Sequence, residues 1–363
     1  MYDQIREDVF FILIYGGVTV MAMMASGYLL LRRGNAFSPG ITPPVRLRRW
    51  VAALLAAFAL NHLWYMPIFF LSSSKDIQIF DLVSGLLDSM TIFPLAIIVP
   101  ITMLQDRKRP LWPVAAIMAP IVAGGVIGVA GRSYALMPIA YVYFLLVCMG
   151  LTVYMVQALR QYGHWLRNNF ADLEHKEVWQ CFLVLAIVLL VFGIYALTAQ
   201  GPTYQYAMQI IIAVLIFYLL WRVETLSDLN LPVHETAEEE NTSLSIRNHI
   251  GPLLKMHCEE PQLYLQYDIS LSQLAKAIGT NRLYLSQYFS AQGITYNAYI
   301  NGLRIRHFIR LYHEAAASLQ SRTVQELAYQ SGFRSYSTFN AAFKQSMGMT
   351  ATKWMNHQKA SEL

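Results

Sequence analysis

Charge is scarce in this chain, and cysteine scarcer. Only 13% of its 363 residues are Asp, Glu, Lys or Arg, against 56% hydrophobic. A soluble protein of this length is far less apolar, so a membrane is implied. Three cysteines give neither a disulfide framework nor a zinc spacing: Cys148 and Cys181 lie in apolar runs, and Cys258 lies in a basic region. The start, MYDQIREDVF, lacks the basic stretch of a cleavable signal, because Asp3, Glu7 and Asp8 stand against Arg6 alone. The first apolar run is therefore expected to be retained.

What charge there is falls unevenly. Residues 1–222 carry 15 Lys and Arg and 10 Asp and Glu, residues 223–245 carry none and 6, and residues 246–363 carry 12 and 6. Within the net +5, an acidic stretch near −6 thus precedes a C-terminal part near +6. A basic, ordinarily polar domain behind an apolar one suits a polyanionic partner.

Seven apolar runs are long enough to cross a bilayer, which takes about 20 helical residues. They lie at Val9 to Leu31 and near 50–71, 77–104, 111–130, 136–159, 178–199 and 203–221. Alternate connections hold Arg32, Arg33, Arg46, Arg48 and Arg49, then Arg107, Lys108 and Arg109, then Arg160, Arg167 and Lys176; the others hold only Lys75 and Arg132. Eleven basic residues against two predict an outside N-terminus and, after seven spans, a C-terminal part in the cytoplasm.

Polar groups at membrane depth are few, which makes them candidates. His62 in span two and Asp81, Ser84 and Asp88 on one face of span three stand out. Counted from the outer span ends, His62 and Asp88 lie at similar depths, about 14 and 16 Å. Such groups either hold helices together or form a ligand or proton site, and His62, Asp81 and Asp88 are the candidate signal site. Pro67, Pro94, Pro100, Pro113 and Pro120 are expected to kink helices. Gly124, Gly125, Gly128 and Gly131 suggest close helix contacts.

Catalytic constellations are missing. No His-Glu-x-x-His pair offers zinc ligands, and no cofactor motif is present. The serine of Met24-Ala25-Ser26-Gly27 lacks a rhomboid-like leading glycine, and Asp81 and Asp88 lack the Gly-x-Gly-Asp setting of intramembrane aspartyl proteases. Span seven has no lysine for a retinal Schiff base.

Residues 222–245 read as a linker with little to bury: a spacer, or an acidic segment competing with a polyanion for the basic domain. Beyond it the periodicity is helical. Leu271, Leu274, Ala275 and Ile278 mark one buried face, Gly279 breaks the helix, and Thr280 or Asn281 can cap the next. Leu274-Ala275-x-x-x-Gly279 returns 53 residues later as Leu327-Ala328-x-x-x-Gly332, and Leu285 and Phe289 return as Phe339 and Phe343. Each copy reads as a helix-turn-helix. Tyr296 to Ala317 reads as a rigid connecting helix.

Two such units, a joining helix with Tyr299-Ile300-Asn301-x-Leu303-Arg304-Ile305, and the run Gly332-Phe333 … Phe339 … Phe343-Lys344 … Gly348-x-Thr350 resemble the AraC/XylS class of bacterial transcription regulators over about 250–357. The chain departs from that pattern at Ala351, where proline is usual, and at Met355, where arginine is. The resemblance implies two recognition helices in successive major grooves, about one turn or ~34 Å apart. Candidates for base contact are Arg282, Leu283, Ser286 and Gln287 in the first helix, and Arg334, Ser335, Tyr336, Ser337 and Asn340 in the second. The forked groups of Arg282 or Arg334 match guanine, and those of Gln287 or Asn340 match adenine. Asn281, Arg306, Lys344 and Thr350 are the phosphate candidates.

The expected fold is all-α: a polytopic seven-helix transmembrane bundle over 1–221, an acidic linker over 222–245, and an all-helical DNA-binding domain over 246–363. Expected partners are double-stranded DNA, the lipid bilayer, a second copy in a homodimer, and a small-molecule or membrane-protein signal. No cofactor, metal or catalytic residue is expected. A competing reading is a transporter or channel with a fused domain regulating its own expression.

Overall fold

The computed structural model describes residues 8–32, 35–38, 41–71, 73–184, 186–187, 202–229, 243–318 and 322–361. Among them helices dominate and no strand forms; Phe170 and Ser270 make an isolated antiparallel bridge. Residues 1–160 with 178–231 form one compact unit, and residues 161–177 with 232–363 form a second.

Elements of the first unit are α1 (Val9–Leu31), α2 (Val45–Tyr65), α3 (Ser74–Met90), α4 (Ile92–Met103), α5 (Trp112–Gly131), α6 (Met137–Asn169) and α7 (Pro202–Thr225), with the end of α6 passing into the second unit. Six stretches among the described residues are long and apolar enough to span a membrane: Val9–Leu31, Val45–Phe70, Ser74–Met103, Trp112–Gly131, Met137–Asn169 and Thr203–Thr225. The expected run at 178–199 lies mostly outside the described residues, as do the first seven residues and Glu235 to Glu240.

Proline punctuates the spans as its missing N–H requires. The second span tightens into a 3₁₀ turn over Met66–Phe70, with Pro67 in its first turn. The third breaks at Thr91, three residues before Pro94, where the carbonyl of Met90 has no amide proton to meet. Thr91 turns its hydroxyl back to the carbonyl of Leu87 at 2.7 Å. Pro113 sits in the first turn of α5, where no amide is missed. Pro100 and Pro120 lie inside continuing helices. Of the four glycines on α5, two are close contacts: a Cβ on Gly125 would reach Leu86 Cδ1 at 3.0 Å, and one on Gly128 would reach Leu82 Cδ2 at 3.7 Å. Nothing lies within 4 Å of a Cβ on Gly124 or Gly131.

In the second unit the repeat becomes two small cores on one beam. After α8 (Ser243–Leu254) come α9 (Leu271–Ala277), α10 (Arg282–Ala291), α11 (Tyr296–Ala317), α12 (Val324–Gln330), α13 (Tyr336–Met347) and α14 (Ala351–Ser361). Leu271, Leu274, Ala275, Leu285 and Phe289 pack with Ile300 and Leu303, on the first half of α11. Leu327, Ala328, Phe339 and Phe343 pack with Phe308 and Tyr312 on its second half. Alpha-helical rise makes those 22 residues about 33 Å long, so α11 fixes the spacing of the two units. Ala351 starts α14 fully buried and Met355 joins the second core, so both departures from the family pattern fall on packed positions.

Candidate DNA-reading surface

Both reading units are built by the same local devices. Ser270 and Gln273 form a capping box at the start of α9, and Thr323 and Glu326 form another, 53 residues on, at the start of α12. Each first helix ends at a glycine with positive φ, Gly279 at 73° and Gly332 at 86°. Asn281 then caps α10 by accepting the Tyr284 amide at 2.8 Å, and Ser335 caps α13 by accepting that of Thr338 at 3.3 Å. These caps fix the chain's entry into each second helix. Inward, Leu285 and Phe289 anchor α10, and Phe339 and Phe343 anchor α13, with Phe308 and Phe339 ring centroids 4.7 Å apart.

The outward faces carry most of the polar candidates. On α10, Leu283 and Gln287 are exposed and Ser286 is half-buried. On α13, Ser337 is exposed and Asn340 half-buried, while Tyr336 leans on Phe339 at 5.9 Å between ring centroids. Arg306 and Lys344 are exposed. Thr350 opens α14, its hydroxyl accepting the Lys353 amide at 3.4 Å.

The two arginines are more confined. Arg282 is half-buried, its Nε donating to Asn169 Oδ1 at 2.8 Å, and burial holds its guanidinium below the usual arginine range. Arg334 lies over the ring of Tyr267, 5.6 Å from its centroid. Neither placement was legible from the repeat, because Asn169 comes from the end of α6, more than a hundred residues earlier.

Arg304, quoted above only within the joining-helix motif, is a keystone. Only 1% exposed, it donates to the carbonyls of Tyr264 and Gln266 at 2.8 Å each and of Tyr267 at 3.2 Å. Burial pushes it down to about 10, which leaves it charged at neutral pH. It thereby ties the segment before α9 to α11, and Phe333 of the second turn covers it at 5.5 Å.

The intramembrane candidates do not meet one another. Nε2 of His62 pairs with Gln209 Oε1 at 2.8 Å, linking α2 to α7, and the His62 carbonyl accepts the Tyr15 hydroxyl at 2.6 Å. Asp88 accepts from Asn61, Trp64 and Tyr65 at 2.8, 3.3 and 3.2 Å. Asp81 accepts from Tyr134 at 3.0 Å. Each group is satisfied by its own neighbours, as polar groups in an apolar bundle must be. Among the described residues no cluster of His, Cys, Asp and Glu has metal-binding geometry.

Comparison with known proteins agrees with this geometry. Residues 274–357 match the family model described as a helix-turn-helix domain. The chain is similar to the TCP pilus virulence regulatory protein of Vibrio cholerae serotype O1, in strain ATCC 39541 and in strain ATCC 39315, at 25% identity over 122 residues in each case. That stretch is 32% of this chain and 41% of the relative, so the chain spans about two fifths of the length of the curated relatives it matches. No solved structure matches. The C-terminal part of this chain is a helix-turn-helix DNA-binding domain of the AraC type, joined to a region of apolar helices.

Proposed function

We propose that the chain is a membrane-tethered, one-component transcription regulator of a bacterial cytoplasmic membrane. Residues 1–221 act as a seven-span sensory domain with the N-terminus outside, residues 222–245 as a linker, and residues 246–363 as the cytoplasmic DNA reader. The observation that carries this reading is the pairing of two separately capped helix-turn-helix units with six membrane-length apolar helices in one chain. Positive-inside bias supports the orientation, and likeness to a virulence regulatory protein of Vibrio cholerae supports a regulatory role.

In this reading Arg282, Gln287, Ser286 and Leu283 read one half-site and Asn340, Ser337 and Arg334 the other, while Arg306 and Lys344 hold phosphates. A signal acts at the polar contacts between spans, His62 with Gln209 foremost, and changes how two copies present their readers to DNA. Genome-wide DNA crosslinking of the intact protein beside a Gln287→Ala, Asn340→Ala variant tests it. Discrete sites lost in the variant are expected; no site-specific enrichment of the intact protein would overturn the reading.

A further inference from the structure

The second unit holds a guest from the membrane region's sequence. Residues 161–177, at and beyond the end of α6, pack with the basic domain. Ala171 is fully buried in the first core, beside residues of α9, α10 and α11. Its amide donates to the Ile269 carbonyl at 3.3 Å, next to the Phe170–Ser270 bridge. The Asn297 side-chain amide donates to the carbonyls of Phe170 and Ala171 at 3.2 and 2.6 Å. Lys176, 3% exposed, pairs with Asp268 at 2.8 Å. A segment held by backbone bonds, a buried apolar residue and an ion pair is docked rather than draped.

Its polar contacts reach the arginine that opens the first reading helix. Asn169 takes the Arg282 Nε, at the first turn of α10. Asp172, only 2% exposed, has one oxygen without a hydrogen-bond partner, and burial raises its carboxyl above the ordinary carboxylate range. Thus the segment engages the leading arginine of the first unit directly. Arginine is the side chain best shaped for guanine and phosphate. A guanidinium already bonded by an asparagine is withheld from both.

We propose that residues 169–176 are an autoinhibitory clasp: the docked segment and DNA compete for Arg282, and DNA reading requires the clasp to leave. Because the segment continues α6 without a break, movement of that span is the natural trigger for release. This inference rests on the proposed DNA-reading function and names its regulation. The occupant of the docking surface is this chain's own interhelical segment.

The test locks and releases the clasp in the full chain in lipid nanodiscs, with sheared genomic double-stranded DNA as the probe. Bridged antiparallel residues have Cα atoms about 4.5–5.5 Å apart, within disulfide reach, so Phe170→Cys with Ser270→Cys gives a reversible lock. Oxidation is expected to weaken DNA binding by about tenfold relative to the same protein reduced, within the usual span of intramolecular coupling. Lys176→Glu, which sets like charges at Asp268, is expected to tighten binding about fivefold, and Lys176→Glu with Asp268→Lys to restore the parental affinity. Equal binding by the oxidised and reduced protein, with the crosslink verified by mass, would overturn the clasp alone. No binding in either state would overturn the DNA-reading function, and the clasp with it.

Discussion

A Cβ added at Gly332 would lie 2.7 Å from both the Cα and the carbonyl oxygen of Leu265, so the turn of the second reading unit is closed directly against the backbone ahead of the first. Gly332 is thus held twice, by a φ of 86° and by that approach, whereas Gly279, at 73°, faces open space. Gly332→Ala is expected to destabilise the domain by about 2–4 kcal/mol, from left-handed strain plus overpacking. Gly279→Ala should lose only about 1–2 kcal/mol. Hydrogen-exchange protection of the amides of α11 and α13 measures the difference; equal losses would mean that the contact with Leu265 carries no weight.

Acid should loosen the same junction through His307. This histidine is 8% exposed on α11, and its Nδ1 lies 3.0 Å from both the Tyr264 hydroxyl and Arg310 Nη2. Arginine only donates, so Nδ1 is an acceptor and the ring is neutral with its proton on Nε2. Burial, then the charge of Arg310, hold His307 below the ordinary histidine range near 6.5. A depressed folded-state value gives stability that is present above the unfolded value and lost as pH falls through the folded one. Protection of α11 should therefore fall as pH drops below 6.5 toward that depressed value, and His307→Gln should flatten the profile. An unchanged profile in the variant would assign the acid sensitivity elsewhere.

Between spans, the His62–Gln209 bond at 2.8 Å links α2 to α7 across 147 residues of sequence. A double-mutant cycle of His62→Ala and Gln209→Ala, read by thermal unfolding in nanodiscs, should give a coupling of about 0.6 kcal/mol, the average for bonds inside membrane bundles, and no more than about 1.7. Strict additivity of the two substitutions would show that the pair makes no energetic link between the helices.

Much of this architecture was legible in the sequence because it is periodic. The apolar runs set the spans, and the repeat of Leu274-Ala275 and Gly279 at Leu327-Ala328 and Gly332 set both reading units, since each position answers a local demand of packing or backbone conformation. Caps at Asn281, legible in the sequence, and at Ser335, named there only for base contact, are likewise local. What escaped was non-local. Arg304 gave no hint that it would bind three carbonyls of the segment before α9, and Asn169, Asp172 and Lys176 lay in a connection valued only for its charge. Similar depth in the membrane left it open whether His62 and Asp88 meet; each has partners of its own, because side-chain direction, not depth, decides which groups meet.

The central claim is that one chain carries two helices that read one bipartite DNA site. Selection of binding sequences from a random double-stranded library by the intact protein in nanodiscs tests it most directly. Two short conserved blocks about 10 base pairs apart centre to centre are predicted, matching successive major grooves. A single contiguous block, or no enrichment at all, would contradict the account.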